Sequence, residues 1–111
     1  MLTPEQQERY SRHLLLDGFD QDRLREASFQ VRGGGIAALW AARYLAASGC
    51  GGLRVDDPAW HEELRRLGPF TDLSAPGGRE VVLFPGTAAA TVEAMRGAQA
   101  ALDAIREVLA K

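Results

Sequence analysis

The chain has 111 residues, 46% of them hydrophobic, enough for one small domain with a thin core and too few for two. A formal charge of −2 supplies no electrostatic footprint for nucleic acid or an anionic membrane surface, so neither is expected as a partner. Cys50 is the single cysteine, which excludes an intrachain disulfide and a cysteine-built zinc cluster; no apolar run approaches the ~18 residues of a membrane span, and the polar opening LTPEQQERY is unlike a signal peptide, so a cytoplasmic protein is expected.

Taken in order, Thr3-Pro4-Glu5-Gln6 is a helix start, with Thr as N-cap, Pro at the first helical position and Gln closing a capping box. That helix should reach about Leu16 and stop at Gly18. Asp20 can cap a second short helix through Ala27, anchored by Leu24. Ser28 to Arg32 reads as the first strand. Arg32 stands where a buried parallel strand usually carries an apolar residue, so its guanidinium either reaches an anion beside the following turn or leaves the strand end toward solvent.

Next come Gly33, Gly34 and Gly35, with Ala38 three further on, the G-x-G-x-x-A form of the dinucleotide fingerprint. Gly33 suits the tight turn out of a strand, Gly35 lets the main chain approach a phosphate, and the helix N-terminus behind them faces an anion. Ile36, Leu39, Trp40 and Tyr44 recur at three- and four-residue steps and predict the face by which this helix lies on a sheet. Gly49 should end it. Leu53 and Val55 alternate into a second strand closing on Asp56 and Asp57, and Asp57, 22 residues after Gly35, is placed where a ribose-binding carboxylate belongs.

Residues 58–78 read as a loop, with at most two helical turns over Trp60–Leu67 and turns at Gly68-Pro69 and Pro76-Gly77-Gly78. Glu80–Phe84 is a short apolar run expected as a third strand. Thr87 can cap a last helix whose stripe is Val92, Met95, Ala98, Leu102, Ile105 and Leu109, and Gly97 within it predicts close packing on another backbone. The fold expected is α/β: a minimal Rossmann-like sheet of three parallel strands in the order 2-1-3, flanked by helices and preceded by a helical leader. Its divisions are 1–28, 29–57, 58–78 and 79–111 of a single domain. So small a sheet exposes two edges, and a homodimer is expected.

The run Arg9-Tyr10-Ser11-Arg12-His13-Leu14-Leu15-Leu16 before Gly18-Phe19, the segment Tyr44-Leu45-Ala46-Ala47-Ser48-Gly49-Cys50-Gly51-Gly52-Leu53, Asp57 after the second strand, and Asp103-Ala104-Ile105-Arg106 with Gly97 together resemble the ThiF/MoeB/HesA adenylyltransferases, relatives of ubiquitin-activating enzymes. The resemblance covers roughly residues 3–57 and 86–110. It implies an enzyme that binds ATP and Mg²⁺ and adenylates the C-terminal Gly-Gly of a ubiquitin-like or sulfur-carrier protein. It also implies that Gly33 and Gly35 lie under the nucleotide, that Asp57 holds the ribose, and that Arg12 and Arg9 reach phosphates; Gly34 within the turn and Arg32 beside it are cofactor-binding candidates from their place in the chain.

Departures from that pattern change the expectation. After its ribose aspartate the family carries S-N-x-x-R-Q, then a lysine and later an Mg²⁺-holding aspartate; this chain contains no asparagine, its only lysine is Lys111, and Arg65 and Arg66 are the candidates for the lost arginine. The zinc-binding cysteine pairs and the catalytic cysteine are missing, and Cys50 matches an ordinary apolar position. Losing one contact to the developing charge typically costs ~10²–10³ in rate. The expectation is therefore a catalytically silent, shortened member that retains nucleotide binding and acts as a homodimer or as a heteromer with a full-length relative. A minimal adenylyltransferase using Arg9, Arg12 and Arg32 is the alternative, and a ligand-free interaction module, in which the glycines are only a tight turn, is the third.

Overall fold

The computed structural model describes residues 21–74 and 78–110. The expected leader helix, with Arg9 and Arg12, lies outside them, as do Pro76 and Gly77. The described elements are α1 (Gln21–Glu26), β1 (Ser28–Gly33), α2 (Gly35–Ser48), β2 (Gly52–Val55), a 3-10 turn (Pro58–Trp60), α3 (His61–Leu67), β3 (Arg79–Leu83) and α4 (Ala90–Leu109). The three strands form a parallel sheet in the order β2-β1-β3, the arrangement that right-handed crossovers dictate for this element order.

β1 is central, with Phe29 level with Leu53 on one side and Arg79 on the other. Side chains alternate across the sheet. Phe29, Val31, Leu53, Val55, Val81 and Leu83 are buried toward the helices, whereas Arg32, Arg54, Glu80 and Val82 are exposed on the opposite face. Among the described residues the helices cover one face, and β3 differs accordingly from the continuous apolar strand expected at 80–84: Val82 is 49% exposed, and Phe84 lies past the strand at 70% exposed. Within 58–74 the two helical turns expected over Trp60–Leu67 are found, as α3. Pro58–Trp60 and α3 bring Leu64 into the core, and the chain then returns so that Leu53 N–H donates to the Asp72 carbonyl at 3.0 Å and Asp72 N–H to that of Gly51 at 2.9 Å.

Two expected helix faces are corrected. α2 buries Ala37, Ala38, Ala41, Ala42, Leu45 and Ala46, not the Ile36–Leu39–Trp40–Tyr44 stripe, and Ile36 is 41% exposed. α4 buries Glu93, Gly97, Ala101, Ala104 and Ile105; of the expected stripe only Ile105 is fully inside, and Val92 and Met95 are exposed. The cause is the same in both. The two helices meet so closely that a Cβ on Gly97 would run into the Ala37 carbonyl oxygen and stand 3.0 Å from Ala41 N, a seam only Gly and Ala can line. Large apolar side chains are displaced to the rims.

The predicted stop at Gly49 is found: its φ of +84° is the left-handed cap conformation, and its N–H donates to Ala46 O. Leu24 is fully buried as the anchor of α1, and the Arg23 guanidinium donates to Leu109 O at 3.0 Å, fastening α1 to the end of α4. Thr87 does not cap α4. The N-cap is Ala89, because Phe84–Ala89 forms the crossing from the sheet edge onto the helix layer. Among the described residues no helix is long and apolar enough to cross a membrane.

Candidate functional site

The glycine turn joins the C-terminal end of β1 to α2, the place where open parallel sheets receive ligands. Gly33 has a φ of +109°, and a Cβ there would collide with the Leu83 carbonyl oxygen of the neighbouring strand. Gly35 has a φ of +85°, and its Cβ would stand 3.1 Å from Cα and Cβ of Pro85. Both positions therefore require glycine for the chain's own packing. Gly34 is different. It is the extended N-cap residue of α2, with φ −155°, no side-chain cap and nothing within 4 Å of where a Cβ would be. The open side of the turn is thus at Gly34, where the first N–H groups of a 14-residue helix lack a side-chain acceptor at the cap.

Carboxylates and guanidiniums around the turn are largely engaged with one another. Asp56 Oδ2 accepts from Gly33 N–H at 3.0 Å, so the acid at the turn is Asp56. Asp57, the residue singled out from spacing, is exposed and caps the 3-10 turn, its Oδ1 accepting from Ala59 N–H at 2.9 Å. The Asp-Asp-Pro order carried that signal, because the residue before a Pro at the first helical position is the natural cap. Arg32 resolves its two alternatives: it leaves the strand toward solvent and donates to Glu80 Oε1 at 3.0 Å, both side chains about half exposed. Beyond β3, Arg96 donates to Phe84 O at 2.7 Å and to Glu93 Oε2 at 2.8 Å, and the Glu93 carboxylate lies against Gly86. Sequence reading missed both Glu93 and Arg96, since a buried Glu on a helix breaks the amphipathic pattern that would locate it.

A groove of about 310 Å³ lies farther along α2, lined by Trp40, Arg43, Tyr44, Glu63 and Leu67. Arg43 lies 4.8 Å from the Trp40 ring centroid and donates to Glu63 Oε2 at 3.2 Å, so its cation is already balanced. Among the described residues no three His, Cys, Asp or Glu side chains gather as metal ligands.

Cys50 is buried, 1% exposed, and its thiol donates to Leu45 O at 3.2 Å. Burial pushes its pKa from 9.0 up to about 12, against weaker opposing hydrogen bonds from Thr71 and Ser48. Between those values the unfolded chain has released the proton that the folded chain keeps, so stability falls as pH rises. In chemical denaturation the wild type should lose up to ~1.4 kcal/mol per pH unit above pH 9 relative to Cys50→Ala, and the folded protein should resist thiol reagents.

A scan against models of known protein families finds no match, and neither the curated proteins nor the solved structures yield a significant one.

Proposed function

We propose that this chain is a reduced nucleotide-binding domain of the ThiF/MoeB/HesA type that acts by binding, as a dimeric pseudoenzyme or regulatory subunit, without adenylating a carrier. The observation that carries this reading is the open side of the glycine turn. At Gly34 an anion can approach the uncapped start of α2, where backbone N–H groups and the helix dipole favour negative charge. A phosphate of ATP held there, with or without Mg²⁺, would leave Asp57 to meet the ribose, because only its Oδ1 is used in the cap. Among the described residues Arg32 and Arg96 are bound to Glu80 and Glu93 and so are drawn away from an adenylation step, and the chain has no internal lysine.

The ligand-free module stands as a second reading, because Pro85 occupies the side of Gly35 that the fingerprint keeps for a phosphate. Calorimetric titration of ATP into wild type and Gly34→Asp separates the two. The substitution places a carboxylate at the helix start without a steric clash, and Asp is a favoured N-cap, so the variant should melt no lower than wild type. The expected result is saturable binding to wild type, lost in Gly34→Asp, with no pyrophosphate exchange above the variant's level when a Gly-Gly-ended carrier is added. Absence of ATP binding by folded wild type would overturn the nucleotide reading in favour of the module.

A further inference from the structure

The two edges of the sheet are treated differently by the chain. Beyond β2, the Thr71–Asp72 segment pairs with Gly51 and Leu53 and closes the edge. Beyond β3, no strand follows among the described residues. A free edge is usually blunted by outward charges. Here the charges of β3 are confined to its start, where Arg79 is paired with Glu107 and Glu80 with Arg32, while Val82 and Phe84 leave 49% and 70% of their surface in water.

Alongside this edge runs one flank of α4. Val92, Arg96, Gln99, Asp103 and Glu107 recur at three- and four-residue steps and are all exposed. Contacts at two points fix how the flank lies: Arg96 reaches Phe84 O, and Glu107 reaches Arg79. Five strand residues at ~3.3 Å and eleven helix residues at ~1.5 Å both span ~16.5 Å, so helix and strand run in step in opposite directions.

We propose that the β3 edge and this α4 flank form the surface on which a second copy of the chain docks, joining two sheets in the order β2-β1-β3-β3-β1-β2. The proposal rests on the dimer reading above and assigns its surface. A two-fold contact is self-complementary, and residues opposite each other in an antiparallel pair share a face. An axis at Glu80 sets that carboxylate against its own copy, and an axis at Val81 sets Arg79 opposite Leu83. An axis at Val82 instead pairs Val82 with Val82 and Val81 with Leu83, which continues the apolar layer under the helices. The same axis meets α4 at about residue 100, given the rises of strand and helix. Arg96 of one copy then falls between Asp103 and Glu107 of the other, and opposite charges meet at both ends of the helix pair.

The test uses light scattering on wild type and Asp103→Arg, and a short bis-maleimide on Val82→Cys and on Arg65→Cys as a control; the native Cys50 is buried and takes no part. Asp103 is exposed, its side chain accepting only from Gln99, so Asp103→Arg should fold normally, which circular dichroism checks. The expected results are a wild-type dimer, a dissociation constant raised at least tenfold in Asp103→Arg, and a covalent dimer from Val82→Cys and not from Arg65→Cys. A wild-type dimer that fails either test overturns this surface while leaving dimerisation in place. A wild type that stays monomeric at every concentration overturns both.

Discussion

Phe29→Ala should cost about 3–5 kcal/mol, the usual range for deleting a buried aromatic ring, and this is the largest effect expected of any single substitution in the sheet. Phe29 is fully buried on the central strand, between Leu53 and Arg79 in the ladder, and is the largest of the completely buried side chains among the described residues. A domain of this size has only ~5–15 kcal/mol of stability in total, so the variant should sit close to its unfolding threshold. Urea denaturation checks this: the midpoint should fall sharply while the slope, which reports the surface exposed on unfolding, stays unchanged. Arg54→Ala is the control, because this exposed residue of β2 projects to the other face of the sheet and should change stability by roughly 0.5 kcal/mol or less. Equal losses in the two variants would mean that the helices do not cover only one face.

Gly97→Ala should destabilise by about 2–3 kcal/mol, although helix propensity alone predicts a gain of ~1 kcal/mol from the same change. The opposing force is steric. The added methyl has to enter the space of the Ala37 carbonyl and stand 3.0 Å from Ala41 N, both of them backbone and unable to rotate away. Separating the helices to make room would loosen the contact of α4 with Ala37 and Ala41, which are buried in the core with Ala101. Thermal melts of wild type and Gly97→Ala decide between propensity and packing: a higher melting temperature in the variant would show that α2 and α4 are not in backbone contact.

The glycine turn shows how far residue types lead. Gly33 was recognisable as the tight turn out of the strand and has the positive φ such a turn takes, whereas Gly35, read as the place where the main chain lets a phosphate approach, also proves to have a positive φ. The fingerprint could not say what occupies the space each one clears. Leu83 and Pro85 of this same chain fill it, and only Gly34 faces outward. Spacing singled out Asp57 as the acid of this turn, yet the carboxylate that meets Gly33 N–H is that of Asp56. The choice of Asp56 for Gly33 and Asp57 for the cap depends on where the strand ends and the 3-10 turn begins, a difference of one residue that reverses the direction of a side chain.

What the sequence determined by itself was the architecture: strand, glycine turn, Ala-rich helix and strand, with the order 2-1-3 following from chain handedness and short connections, rules that hold whatever the side chains are. It also determined the helix stop at Gly49 and the close approach at Gly97, because glycine reports backbone geometry directly. Only the tertiary structure decided which faces of α2 and α4 are buried. Periodicity assumes that large apolar residues point inward, but where α2 and α4 come into near backbone contact, at Gly97 with Ala37 and Ala41, only Gly and Ala fit, and Ile36, Val92 and Met95 face outward.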